Sequence, residues 1–346
     1  MIDSASSTDF PELTTAHLRP RRRRIRLPVI LFLITCFSTF WVGAADWEPA
    51  QYLSSSQLGI RAVILMHWQQ GLIYMGCLLA ILLSHEMGHF LATVRYRIPA
   101  SLPYFIPFPI ALIGTMGAVI GMDGLRANRK EMFDIGLAGP IAGLLVAVPV
   151  LWIGVGRLDL NQPPAASSTA VESPLLVNIL MHIRQPQGYE ESLAGQNKLA
   201  AAGMNQQWWH GQTIWTSQLN PYFMAGWVGM LITGLNMLPI SQLDGGHVIY
   251  TLFGKRAHWI ARAFLFCAIV FVVYGEAQIW MPMLIIVTMI GTDHPPSRVT
   301  SVRELSALEW EELEVMVDSG AGATVICREG AKSVMASYPD PQPHLQ

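Results

Sequence analysis

Gly71-Leu-Ile-Tyr-Met-Gly-Cys-Leu-Leu-Ala-Ile-Leu-Leu-Ser-His85-Glu86-Met-Gly-His89-Phe-Leu-Ala-Thr-Val94 is the stretch that decides how this chain is read. It is long enough to cross roughly 30 Å of hydrocarbon as a helix, yet it carries two imidazoles and a carboxylate. Ionisable side chains inside a span are costly to bury and are rare there without a functional reason. Residues four apart on a helix lie one turn apart on the same face, so His85 and His89 can reach one tetrahedral ion. Glu86 then projects near the ion's open position, where it can take a proton from water. The pattern points to a catalytic site for Zn2+, one ion per chain. A blander reading has the three residues pairing with other buried polar groups or lining an ion path.

The rest of the chain supports a membrane setting. Apolar residues make up 52% and charged residues 13%, against roughly 25% charged in a soluble domain. So little charge cannot cover a water-soluble protein of 346 residues. A net charge of −2 argues against nucleic acid as a partner. Cys36, Cys77, Cys267 and Cys327 show no CxxC spacing, so neither a disulfide framework nor a cysteine zinc cluster is indicated.

Working outward, a polar leader ends in a basic run from Arg19 to Arg26, and an apolar stretch follows from about Leu27 to Ala45. Basic residues accumulate on the cytoplasmic side of spans, which puts the N-terminus inside. The stretch reads as an uncleaved anchor rather than a signal peptide cut near Gly43-Ala44-Ala45. Arg95 and Arg97 bring the end of the second span, Gly71 to Val94, back to the cytoplasm. Between Pro103 and Met122, Pro103, Pro107, Pro109, Gly114, Gly117 and Gly121 interrupt an apolar segment. Prolines forbid a regular helix there, and irregular backbone at membrane depth survives only in protein or against a wet cavity. The segment is expected to be re-entrant and partly extended. A third span, Asp134 to Gly156, opens with Asp134 as N-cap and contains Gly139-Pro-Ile-Ala-Gly143, a spacing that lets helices approach closely. Arg157 to Asn220 is polar and irregular and should lie outside, and the fourth span runs from about Pro221 to Leu243. After the basic stretch Gly254 to Arg262, the apolar runs Ala263–Gly275 and Ala277–Gly291 form a last hairpin. The expected fold is an all-α polytopic membrane protein of about six transmembrane helices with a partly extended, β-like re-entrant segment near the active site. Residues 1–27 form a cytoplasmic tail, 28–294 the membrane-embedded domain and 295–346 a polar C-terminal tail.

A catalytic zinc needs a third protein ligand besides His85 and His89. Glu131 and Asp134 sit at a helix start and Asp123 in a polar loop, whereas Asp244 ends an apolar span within Asn236-Met-Leu-Pro239-Ile-Ser-Gln-Leu-Asp244-Gly-Gly-His247. An isolated carboxylate there is strongly disfavoured unless a cation compensates it. Pro239 and the paired glycines break the helix and free the backbone to turn Asp244 toward the metal. The alternative is that Asp244 caps the following helix, and the two roles are compatible.

His85-Glu-Met-Gly-His89 in one span and Asn236-Met-Leu-Pro-Ile-Ser-Gln-Leu-Asp244-Gly-Gly-His247 near the end of a later one resemble the site-2 protease family of intramembrane zinc metalloproteases. Gly114-Thr-Met-Gly117, Ala138-Gly-Pro-Ile-Ala-Gly143 and Asp293-His-Pro-Pro296 are similar to the branch found in bacteria and plastids. The resemblance covers about Gly71 to Pro296. It implies that His85, His89 and Asp244 bind zinc, that Glu86 is the catalytic acid and base, and that Asn236 helps hold the substrate or the oxyanion. It also implies membrane-spanning protein substrates met within the lipid bilayer, and a bacterial cytoplasmic membrane as the site of action. The chain departs from the family in two ways: no stretch has the pattern of a PDZ-type module, and Ser297–Gln346 is polar where a further span is common.

Weaker candidates remain. His247 reads either as support for the metal ligands or as a local hydrogen-bonding residue, and His67, His182, His210 and His258 as interfacial or loop histidines. Trp208, Trp209, Trp215 and Trp227 fit an interfacial aromatic belt. Two rivals compete with the intramembrane protease: a membrane peptidase using a glutamate as third ligand, and a transporter or substrate-binding protein without activity.

Overall fold

A computed structural model describes residues 25–49, 59–109, 113–122, 127–163, 168, 170–201, 213–240, 243–254 and 256–274, with positions 281, 284, 285 and 288. The frame is helical: α1 (Arg26–Ala44), α2 (Ile60–Arg95), α3 (Arg129–Val155), α4 (Leu175–Arg184), α5 (Tyr189–Ala201), α6 (Pro221–Asn236), α7 (Asp244–Phe253) and α8 (Arg256–Tyr274). Two small antiparallel sheets complete it, β1 (Tyr104–Phe108) with β2 (Gly114–Val119), and β3 (Ala170–Glu172) with β4 (Thr213–Trp215). Among the described residues, α1, α2, α3 and α8 are long and apolar enough to cross a membrane. Leu33, Phe37, Leu65, Leu145, Phe266 and Val273 on these helices are exposed, as side chains facing lipid would be.

The third helix is the hub, packing against α2, α6 and α7. It starts at Arg129 rather than at Asp134. The reason is a capping box: Asn128 accepts from the Glu131 backbone N–H, and the Glu131 carboxylate accepts from the Asn128 N–H. Asp134 is freed to accept a hydrogen bond from the Tyr96 hydroxyl, which ties the end of α2 to the start of α3. That bond also pushes the Tyr96 phenol above its ordinary pKa. The second helix is longer than expected, beginning at Ile60 and bending at His67, where φ is −118° and ψ 17°.

The segment from Pro103 to Met122 is extended in its described parts, as its prolines and glycines require. β1 and β2 pair with a bulge between Phe105 and Pro107. Gly117 sits at φ +91°, where a side chain would be strained, and Thr115 Oγ1 bridges the irregularity by donating to the Ile106 carbonyl and accepting from the Gly117 N–H. Beyond β2 the chain continues beside Ala100 and Ser101.

Arg157 to Asn220 is not irregular throughout. α4, α5 and the β3–β4 pair fold there over a second core, in which Val177, Leu180, Met181, Tyr189 and Ile214 meet Leu151 and Val155 of α3 and Phe223 of α6. Those scattered apolar residues suffice because the ends of α3 and α6 supply the other half of the core. The fourth span stops at Asn236, short of Leu243: Pro239 follows, and tight turns occupy residues 237–240. At 16 residues α6 is shorter than the four spans. α8 begins inside the basic stretch, at Arg256, and runs to Tyr274. The second leg of the last hairpin lies almost wholly outside the described residues. Residues 1–24, the C-terminal tail, Cys327, Asp123, Trp208, Trp209, His210 and Asp293-His-Pro-Pro296 lie outside them entirely.

Candidate metal centre

His85 and His89 lie one turn apart on α2, and both point toward α3. Glycine makes this possible. A Cβ on Gly139 would collide with the His89 ring, and one on Gly143 would come within 3.1 Å of His85 Nδ1. Gly88 on α2 lies against the Ala138 carbonyl, so the helices meet backbone to backbone around the imidazoles. The Gly139–Gly143 spacing therefore does more than bring two helices close: it seats two rings. On the same helix Gly136 leaves room for the Asp244 carbonyl and His247 of α7.

Asp244 reaches the histidines because α6 has ended. Leu243 is the N-cap of α7 and Asp244 its first residue, where the positive end of the helix dipole favours a carboxylate. Gly245 fits beneath the Met237 and Leu238 carbonyls, so the turn folds tightly onto the start of α7. Asp244 Oδ2 lies 3.2 Å from His85 Nε2 and 3.2 Å from His89 Nε2, and the two nitrogens are 3.2 Å apart. Donors held tetrahedrally at about 2.0 Å from one ion are roughly 3.3 Å apart.

The hydrogen bonding of the His89 ring suits a metal ligand. His89 Nδ1 lies 2.8 Å from the Ile135 carbonyl, which can only accept, so the neutral ring carries its proton on Nδ1 and turns a lone pair at Nε2 inward. The centre thus gathers nitrogen lone pairs and a carboxylate in a largely buried space, a donor set that suits zinc. His85 Nδ1 is buried with no hydrogen-bond partner among the described residues.

Glu86 and Asn236 complete the surroundings. Glu86 is 5% exposed and lines a cavity of about 360 Å3 together with the three ligand candidates, Asn236 and His247. Asn236 Nδ2 stands 3.3 Å from His85 Nε2. Were that nitrogen bound to a metal, the amide N–H would be free to serve another acceptor beside the ion. Ala118 to Met122, the end of β2 and its continuation, form one wall of the cavity. The structure thus brings all five expected site residues together. Sequence reading missed the Ile135 carbonyl and the ring seats at Gly139 and Gly143. The glycine spacing was visible, but which side chains it accommodates depends on the rotation of α2 against α3.

Comparison with known proteins finds relatives named as zinc metalloproteases. A probable zinc metalloprotease, EGY1, chloroplastic, from Oryza sativa subsp. japonica is 34% identical over 241 residues, covering 67% of this chain and 38% of that protein. The Arabidopsis thaliana protein of the same name is 34% identical over 179 residues, 52% of this chain and 29% of its own length. The probable zinc metalloprotease EGY2, chloroplastic, of Arabidopsis thaliana is 28% identical over 172 residues, or 50% and 27%. The chain spans well under half the length of these relatives. Residues 73–274, from α2 through α8, match peptidase family M50, and over that stretch, which holds both motifs and every helix of the metal centre, the chain belongs to this family.

Proposed function

We propose that the chain is an intramembrane zinc metalloprotease that hydrolyses peptide bonds within or near transmembrane segments of membrane protein substrates. The observation that carries the reading is the convergence of His85, His89 and Asp244 at 3.2 Å from one another, with Glu86 on the same buried cavity. In this reading His85, His89 and Asp244 hold one Zn2+ per chain. Zinc, when bound, supplies a Lewis acid that polarises a carbonyl and brings the pKa of water toward roughly 7. Glu86 accepts the proton of the attacking water and returns it to the leaving amine. Its burial in α2 keeps bulk water from competing for that proton. Asn236 donates its side-chain N–H to the oxyanion as charge develops there. A helical substrate hides its carbonyls in its own hydrogen bonds, so it must unwind. The end of β2 beside the cavity offers a strand edge on which the unwound segment can pair.

Residues 28–294 form the membrane-embedded domain in this reading, with about six spans once α6 and the run after α8 are counted. Residues 1–27 and 295–346 are polar tails. The arginines before α1 favour a cytoplasmic N-terminus, since basic residues accumulate on the inner side of spans, and a bacterial cytoplasmic membrane is the proposed location. The M50 relatives are named as chloroplastic, so a plastid membrane is the alternative. A non-proteolytic transporter or binding protein is the competing function. Glu86→Gln decides between them: it should retain stoichiometric zinc and lose cleavage of a model membrane span. Wild-type cleavage by this variant would remove Glu86 from the chemistry, and a wild-type protein that neither binds zinc nor cuts would favour the competitor.

A further inference from the structure

α4 has more apolar surface than the protein covers. At 100° per residue, Val177, Leu180 and Met181 fall on the side turned into the second core. Leu175, Ile179 and Ile183 recur every fourth residue on another side and are exposed, by 77%, 46% and 61%. Together the apolar positions sweep roughly 240° of the helix. The polar sector is narrow: Asn178, tied to Ser173 by side-chain hydrogen bonds, and the exposed His182.

The position of α4 says what meets the exposed stripe. Its C-terminal end is fastened to the end of α3. The Arg184 guanidinium lies 4.8 Å from the Trp152 ring centroid and occupies the space left by Gly156. At the same level Arg157 lies 4.6 Å over the Tyr222 ring at the start of α6. Arginine stacked on Trp and Tyr where spans end is the pattern of a membrane–water boundary. Val155 is sixteen residues along α3 from Gly139, so this boundary is roughly 24 Å from the metal centre. The outward faces of α3 beneath it, Leu145 and Ile153, are exposed and apolar. The stripe on α4 is exposed and apolar like those faces.

We propose that α4 is an interfacial helix, lying against the bilayer with Leu175, Ile179 and Ile183 in the acyl-chain boundary of the leaflet remote from the metal centre. Its ligand is lipid, with His182 on the wet side and Arg184 at headgroup level. The helix thereby sets the depth of α3 and α6, the two helices that share its core. This inference rests on the membrane spans and is independent of the catalytic reading.

The test uses the full chain with its four cysteines replaced, carrying single spin-labelled cysteines in phosphatidylcholine nanodiscs. Labels at Ile179 and Ile183, which lie roughly 60° and 100° around the helix from His182, should collide several-fold more with oxygen, relative to a water-soluble nickel chelate, than a label at His182. Access of the nickel chelate to both stripe positions equal to that at His182 would show a wet face and overturn the proposal. Exclusion of both reagents from the stripe would show a protein-covered face and overturn it too, with spin–spin broadening identifying a second copy. Ile179 and Ile183 already point outward, so each label leaves the core intact; either one reads the same face if the other variant fails to fold.

Discussion

The two halves of the metal centre are built in opposite ways. His85 and His89 stand on the regular part of α2 beyond its bend at His67, so their spacing is fixed by helix geometry before the protein folds around them. Asn236 and Asp244 arrive where a helix stops and another starts, with turns at residues 237–240 between them. The first half is local and rigid. The second depends on α6 ending where it does, on Gly245 passing under two carbonyls, and on α3 leaving space at Gly136. A site assembled this way is sensitive to its non-local half. If the proposed ligand set is right, Asp244→Ala should lose stoichiometric zinc and all cleavage, measured by metal analysis and by proteolysis of a model span. Retained zinc would mean that the α7 carboxylate is not a ligand and that the local half suffices.

Asn236 separates chemistry from metal binding within the non-local half. Its amide faces His85 Nε2 at 3.3 Å, and with metal on that nitrogen the N–H has no acceptor there. Asn236→Ala should therefore keep zinc and lower kcat on the order of 10²–10³-fold, the usual loss for one oxyanion donor. Loss of zinc in step with activity would instead make Asn236 a support for the His85 ring.

The local half has its own contrast. Both glycines on α3 face a ligand ring, but a Cβ on Gly139 collides with the ring of His89, whereas one on Gly143 meets His85 at 3.1 Å, a distance small shifts can relieve. Gly139→Ala should weaken zinc binding on the order of 10–100-fold by turning His89 away from the Ile135 carbonyl and Asp244. Gly143→Ala should weaken it less. The reverse order, read by competition with a chelator, would show that His85 is the ring whose orientation is critical.

The contrast between local and non-local also decides what could be read from the sequence. The histidine pair, Glu86 and the spans that became α1, α2 and α3 are legible, because period and hydrophobicity act over neighbouring residues. The extended β1–β2 segment is legible from its prolines and glycines. Asp244 was reachable as a buried acid in need of a cation. The folded layer of α4, α5 and the β3–β4 pair was not, because its core is completed by Leu151, Val155 and Phe223, far away in sequence. The start of α3 was misplaced by five residues because Asp134 is a plausible cap. Asn128 with Glu131 makes a better one, through two reciprocal hydrogen bonds. Two further misses, the seating of His85 and His89 against α3, depend on helix rotation, which sequence spacing does not specify.

The smallest expected effect lies at the far end of α6. Asn220 caps that helix by accepting from the Phe223 N–H, and its side-chain N–H donates to the Gly154 carbonyl at the end of α3. One side chain thus caps one helix and clips it to another, with Pro221 fixing the first turn. Asn220→Ala should cost about 1–2 kcal/mol, a cap plus one hydrogen bond. Asn236 sits sixteen residues away on the same helix, roughly 24 Å from the cap. Because α6 is gripped along its length by α2 and α3, the loss should appear as a lower Tm in detergent, with kcat and zinc content at 25 °C unchanged. A fall in kcat without a fall in Tm would mean that the position of Asn236 is set from the outer end of α6, and the non-local half of the site would then extend across the whole membrane.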